Sequence, residues 1–187
     1  MTQKISIRKY QESDYAQIQR ICIATAPEEA RQNDAFQALL LTAFCNYYIE
    51  QEPHNCFVAA DGQEAIGYIL CAEDATAWAK TFQDHYIASL SSDQAKMFCQ
   101  GTMGSPLKFA LEYPAHLHID LLPDYQRMGL GTMLMDALAQ HLKEKGVPGL
   151  MLCVSRDNVK GRQFYQKYGF QVLDETQETV VMGISLN

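Results

Sequence analysis

Two stretches of the chain hold residues whose types and spacing could do chemistry. The first is Ala115-His-Leu-His-Ile-Asp-Leu121, in which His116, His118 and Asp120 stand two apart. That period puts them on one face of a strand and Leu117, Ile119 and Leu121 on the other. A free histidine titrates at about pH 6.5, so either ring can take the proton from an amine that is to act as a nucleophile. Two plainer readings stay open. The histidines can be a structural pair hydrogen-bonded in the core, since three polar groups on one strand face need partners or water. The three residues can also ligate a metal, but no fourth ligand is evident and no metal is expected.

The second stretch is Gln126-Arg127-Met128-Gly129-Leu130-Gly131-Thr132, where a strand gives way to a helix. The first amides of a helix lack intrahelical partners and form the positive end of its dipole, so an anion such as phosphate fits there. Two glycines let the backbone come close, and Arg127 adds a charge. Other phosphate motifs fit badly. A dinucleotide fingerprint needs a third glycine where Leu134 stands, and a P-loop needs Gly-Lys-Ser/Thr where Gly131 is followed by Thr132 and Met133. A plain strand-to-helix turn remains the alternative for this stretch taken alone.

The elements that must position these stretches can be read from periodicity. Lys4 to Tyr10 alternates as a short strand, and Ser13-Asp14 offers caps for a helix carrying Tyr15, Ile18, Ile21 and Cys22. Phe36, Leu39, Leu40, Ala43, Phe44, Tyr47 and Tyr48 form a helical stripe that Asn33 or Asp34 can cap. Two strands joined at Asp61-Gly62 follow as a hairpin. Residues 75–112 are less regular. Trp78, Phe82, Tyr86 and Ile87 suggest one helix, Ser91-Ser92-Asp93 caps a second, and Gly101, Gly104 and Pro106 mark a loop. Leu130, Met133, Leu134, Ala137, Leu138 and Leu142 predict a strong amphipathic helix ended by Gly146 and Pro148. An apolar strand from Gly149, a helix from about Asn158 to Tyr168 and two last strands complete an α/β chain.

The chain has 187 residues, 48% hydrophobic and 20% charged, with a net charge of −7. That length suits one domain, and the acidic balance argues against a nucleic-acid partner. The N-terminal residues show no apolar signal segment, and no apolar run is long enough to span a membrane. The six cysteines never stand at Cys-x-x-Cys spacing and sit mostly among apolar neighbours, as Cys153 does. They are read as reduced core thiols of a cytoplasmic protein.

Gln-x-x-Gly-x-Gly after a strand resembles the acetyl-CoA pyrophosphate loop of the GNAT acetyltransferases. Further on, Asn158-Val-Lys-Gly161-Arg-Gln-Phe164-Tyr165-Gln-Lys-Tyr-Gly169-Phe170 resembles that family's second motif, with Gly161 where alanine is usual. The order of elements matches over nearly the whole chain apart from residues 75–112. The stretch from Tyr113 to Gly131 looks most like the arylalkylamine acetyltransferases and the acetyltransferase-like domains related to those of O-GlcNAc hydrolases. The resemblance implies one GNAT-type domain over residues 1–187, with a central, mixed, mostly antiparallel sheet flanked by helices. A helical insertion before the fourth strand, residues 75–112, would shape the substrate site.

The resemblance further implies acetyl-CoA as co-substrate, no metal, and a small-molecule or peptide amine as acceptor, attacked in a ternary complex. The amides of Arg127, Met128, Gly129, Leu130 and Gly131, with Gln126 and Thr132, would hold the pyrophosphate. Leu121 and Leu122 would offer backbone groups to the pantetheine arm, and Asn158 and Phe164 would complete the cofactor site. For Asn158 a helix N-cap is an equal reading. Tyr165 would be the general acid for the leaving thiolate, and His118, nearer the cofactor loop than His116, the base. Trp78, Phe82, Tyr86 and Phe109 could line an acceptor pocket or equally be core, and Glu73, Asp74 and Glu112 could attract the amine but fit a solvated surface better. A homodimer is compatible with the family. The alternative is a catalytically inactive acyl-CoA-binding regulatory or interaction module of the same fold.

Overall fold

The computed structural model describes residues 5–187. The first expected strand begins at Lys4, which lies outside them; the observed β1 is Ile5–Lys9. Helix α1 (Tyr15–Thr25) follows, but its cap differs from expectation. The carboxylate of Asp14 is buried and turned back. It accepts two hydrogen bonds from the Arg8 guanidinium, at 2.6 and 2.7 Å, and one from the Gln11 amide. A bidentate charged partner outweighs one capping bond.

A short α2 (Glu28–Arg31) leads to α3 (Asp34–Leu41), whose N-terminus is capped by Asn33. A wide π-helical turn, Thr42–Asn46, joins α3 to α4 (Tyr47–Gln51), so the predicted stripe is one rod with a bulge in it. The hairpin is β2 (Phe57–Asp61) and β3 (Glu64–Ala72). The insertion holds α5 (Ala75–Thr81), continued by a π turn to Ile87, and α6 (Asp93–Phe109). Gly101, Gly104 and Pro106 lie inside α6, not in a loop. Its N-terminus is capped by Ser92, its Cys99 and Pro106 are buried, and this packing overrides the propensity cost of roughly 1 kcal/mol for each glycine.

The second half is β4 (Ala115–Leu121), α7 (Leu130–Glu144), β5 (Gly149–Ser155), α8 (Val159–Tyr168), β6 (Gln171–Glu175) and β7 (Thr179–Ser185). The strands form one sheet in the order β1-β2-β3-β4-β5-β7-β6. Among the described strands only β4 and β5 run parallel. One face carries α1, α3, α4 and α5, around Ile18, Ile21, Tyr48, Trp78 and Phe82. The other carries α7 through Leu134, Leu138 and Leu142, all fully buried, and the aromatic residues of α8. Each such leucine contributes about 1.5–3 kcal/mol by leaving water. Among the described residues no helix is long and apolar enough to cross a membrane.

Candidate active site

The sheet comes apart where β4 meets β5. Only Ala115 with Leu150 and His116 with Met151 are paired, after which the two strands diverge. The gap is a wedge lined by residues 117–120 and 152–155, with Asn158 and Tyr165. Leu122 donates its amide to the Ile66 carbonyl at 3.0 Å, and its own carbonyl accepts from Tyr125. Backbone groups alternate along a strand, so the amides of Ile119 and Leu121 face the opposite edge, into the wedge. Of the two leucines expected to offer backbone there, Leu121 does, whereas Leu122 is turned towards β3.

At the hinge, Arg127 and Gly129 both have left-handed backbones, φ 64° and 81°. Such a conformation is costly for arginine, and it curls successive amides towards one point, an anion-binding concavity. No side chain caps α7, which leaves the amides of its first turn, through Thr132, without local partners. Gly131 is small because α8 is close: a Cβ would stand 3.2 Å from the Phe164 ring. Phe164 therefore packs the two helices together. The Gln126 amide donates to the Leu121 carbonyl at 3.0 Å, tying the hinge to the strand. Asn158 is the N-cap of α8, accepting from the Gly161 amide, and a Cβ at 161 would collide with that cap. An open strand edge leading to an uncapped glycine helix start fits an acyl-CoA, whose arm needs backbone partners and whose pyrophosphate needs amides.

The strand side chains fall as the two-residue period predicts. Tyr48, wholly buried on α4, lies 3.0 Å from Nε2 of both His116 and His118. Its hydroxyl has one proton, so it donates to one ring and accepts from the other. The Nδ1 of His116 is buried without a partner. A proton there would be an orphaned donor, so His116 carries its proton on Nε2 and donates to Tyr48. Tyr48 then donates to His118, which holds its own proton on Nδ1. Burial pushes His116 down to about 3, with the His118 ring adding to the fall, and His118 down to about 4. Both rings are neutral at pH 7 and weaker bases than free imidazole. Both Nε2 atoms face the Tyr48 hydroxyl, and among the described residues no group of three or more His, Cys, Asp or Glu is arranged to hold a metal.

Asp120 lines the same wedge and accepts a 2.6 Å hydrogen bond from Tyr68 of β3. Burial pushes its carboxyl up to about 6. Tyr165 enters from α8 on the other side, its phenol held well above its ordinary value by burial and by the charge of Asp120. Cys153 faces the wedge and is exposed, unlike the other five cysteines, which are buried and free. It was expected in the core, but its side chain lines both the wedge and the cavity beside it. Although solvent reaches it, the protein around it disfavours the thiolate more than a hydrogen bond with Ser105 of α6 favours it, so its thiol is raised and it is not a ready thiolate.

Beside the wedge lies a cavity of about 540 Å³ that shares His118 and Cys153 with it. Phe44, Tyr48, Trp78 and Phe98 give it aromatic walls, and Glu178 is its one carboxylate. Of the expected pocket residues Trp78 is there. Phe82 stacks on Trp78 in the core, and Tyr86 donates to Glu50. Phe109 is not part of the lining. Glu73 is paired with Lys145, Asp74 caps α5, and Glu112 is exposed. Tyr48, Tyr68 and Glu178 escaped the sequence reading because each meets the site only across the fold.

The chain matches the Acetyltransferase (GNAT) family over residues 15–170. The ribosomal protein bS18-alanine N-acetyltransferase of Haemophilus influenzae is 44% identical over 57 residues, 30% of this chain and 38% of that protein. N-alpha-acetyltransferase 30 of Schizosaccharomyces pombe is 24% identical over 124 residues, 66% of this chain and 62% of that one. The chain thus spans about two fifths to three fifths of the length of these relatives. The solved structure of SsHAT superposes with a TM-score of 0.87 at 26% identity, covering 98% of this chain and 99% of its own. The PaiA N-acetyltransferase of Thermoplasma acidophilum, solved in complex with coenzyme A, shares the fold at a TM-score of 0.62 and 18% identity, over 97% of this chain and 99% of its own. With a family match across most of its length and the splayed sheet above an uncapped glycine hinge, the chain belongs to the GNAT acetyltransferase family.

Proposed function

We propose that the chain is an acetyl-CoA-dependent N-acetyltransferase that acetylates a primary amine of a small molecule or peptide within a ternary complex. The observation that carries this reading is the pairing of two spaces around one strand. The wedge beside β4 suits a thioester arm, and the aromatic cavity opening onto it suits an acceptor. When bound, acetyl-CoA supplies the activated acetyl group. The amides of Arg127 to Gly131 hold its pyrophosphate, assisted by the Arg127 charge and the Thr132 amide. Leu121 pairs with its pantetheine arm, with Asn158 at the start of α8 alongside. The Ile119 and Leu121 amides point to where the acetyl carbonyl lies and favour charge growing on its oxygen. Tyr165 gives a proton to the departing sulfur. His118 orients the acceptor through its Nδ1 proton, and Glu178 draws a cationic amine to the cavity. Holding both reactants in line supplies much of the rate gain.

A thermal shift with acetyl-CoA, CoA and ATP side by side tests the cofactor. Ligand at about 100 times its Kd stabilises the fold by about 2.7 kcal/mol, a shift of several degrees. The expected result is a shift with both CoA forms and none with ATP. Mass-spectrometric detection of acetylated 2-phenylethylamine, agmatine or an alanine-initiated peptide then tests transfer. Cofactor binding without transfer to any of them would identify a binding module of the same fold.

A further inference from the structure

We propose that Asp120, not either histidine, takes the proton from the acceptor amine, and that Asp120 and Tyr165 work as a coupled base and acid across the wedge. The inference rests on the acetyltransferase reading. Hydrogen-bond geometry carries it first. Each histidine has one lone pair in its neutral form. In His118 that lone pair is on Nε2 and is occupied by the Tyr48 hydroxyl at 3.0 Å. In His116 it is on Nδ1, which is buried without a partner. Neither ring offers a free acceptor to an incoming amine.

Asp120 does. It stands two residues beyond His118 on the same strand face, further into the wedge, and it lines the wedge together with Tyr165. Tyr68 engages Oδ2 alone, and a carboxylate has lone pairs to spare. The groups facing Asp120 are Tyr68 of β3, Cys22 and the Thr25 hydroxyl of α1, and Tyr165 of α8; the two hydroxyls favour its ionised form less than burial disfavours it, and no cation is among these groups. Burial lifts the Asp120 carboxyl to about 6 and drops the His118 ring to about 4, so Asp120 is the stronger base of the two. A base poised near the working pH is also the more effective one.

The coupling follows from the charge. Ionised Asp120 raises the Tyr165 phenol. Once Asp120 has taken a proton that charge is gone, and Tyr165 becomes the better acid when the sulfur needs one. For a neutral amine the protons balance. The nitrogen forms its bond to the acetyl carbon and gives one proton to Asp120. The carbon–sulfur bond breaks, and the sulfur takes the Tyr165 proton. The proton on Asp120 then restores Tyr165, leaving amide and free thiol.

The test is the pH profile of kcat/KM on the best acceptor from the amine panel, for wild type, Asp120→Asn, Tyr68→Phe and His118→Ala. Asparagine keeps an oxygen for the Tyr68 hydroxyl. In wild type we expect activity to rise through a limb near pH 6. Asp120→Asn should lose that limb and 10²–10⁴-fold in rate, in line with general-base loss. It should lose a comparable factor with 2,2,2-trifluoroethylamine, because an amine already neutral at pH 7 still gives its proton to Asp120 as the amide forms. Tyr68→Phe removes a bond that favours the ionised carboxylate, so its limb should move to higher pH; this variant carries the test if Asp120→Asn fails to fold. His118→Ala should keep the limb near its wild-type position. An unchanged limb in Asp120→Asn or Tyr68→Phe, with wild type active, overturns the Asp120 assignment alone. Absence of transfer by wild type to every amine overturns the acetyltransferase reading along with it.

Discussion

The hydroxyl of Tyr48 lies 3.0 Å from Nε2 of His118 although 70 positions separate the two residues in the chain. That contact, and its twin to His116, decides which ring nitrogen of each histidine holds a proton. Tyr48→Phe would leave both Nε2 atoms buried without a partner, at a cost of about 1–3 kcal/mol. The expected outcome is a Tm lower by several degrees, reduced turnover and an unchanged Kd for CoA. Calorimetry and calorimetric titration on one preparation check it, and an unaltered Tm would remove the bridge.

His118→Ala takes away the Nδ1 proton while sparing the hinge. Turnover should fall about 5- to 10-fold with acetyl-CoA affinity held within a factor of two, since one lost hydrogen bond to a bound group costs about 1–1.5 kcal/mol. Steady-state kinetics against fixed saturating amine separates the two. Equal turnover would take His118 out of the mechanism.

Tyr165→Phe keeps the ring that packs 5.9 Å from Phe170 and deletes only the acid. The proposed role predicts a loss of about 10²–10⁴-fold in kcat with little change in stability. Wild-type kcat would make Tyr165 a packing residue.

Gly129→Ala meets no neighbour, as nothing lies within 4 Å of the added carbon, so its effect is conformational. Holding alanine at φ 81° costs about 1–2 kcal/mol. The variant should lose that much stability and lose CoA affinity besides, because the methyl group stands at the hinge where the amides converge. Equal Tm changes with and without CoA would separate strain from binding.

Acid should unfold this protein early. His116 and His118 stay neutral in the fold down to about 3 and 4 but charge at about 6.5 once unfolded. Their stabilisation is complete above 6.5 and is lost as pH falls below it. Asp120 opposes them: its folded value of about 6 lies above the unfolded one, so it binds a proton in the fold between about 6 and 4. Two protons taken up on unfolding less one released leaves one, and stability should fall by about 1.4 kcal/mol per pH unit in that window. Urea midpoints at pH 7, 6, 5 and 4 measure the slope. His116→Leu should flatten it.

Cys153 should be the one thiol that reacts in the native state, and slowly at pH 7 because its thiol is raised. Peptide mapping after brief N-ethylmaleimide treatment should find one adduct, formed faster at pH 9 and suppressed by CoA. Protection by CoA would locate the cofactor arm in the wedge; equal labelling would place it elsewhere.

Local patterns made much of this legible. The stripe of α7 needed only its own residues, as did the alternation that sets His116, His118 and Asp120 on one face. The insertion was misread at Gly101, Gly104 and Pro106, because propensity there points one way and burial of Cys99 and Pro106 against the rest of the fold points the other. Partners were the hidden part. No short-range signal says that Tyr48 will bridge the histidines, that Tyr68 will hold Asp120, or that β5 will leave Cys153 uncovered, since each fact arises from strands and helices brought together across the fold.

The divergence of β4 from β5 also bears on solubility. A strand with bare amides and carbonyls invites a strand from another molecule, which is how sheets grow into aggregates. Here the bare edge is recessed in a narrow cleft with a second strand a short way off and a helix over its far end. A recessed edge is harder for a strand with side chains on both faces to reach than an edge at the rim of a sheet. The same geometry that recruits a cofactor arm thus guards the molecule against its own copies.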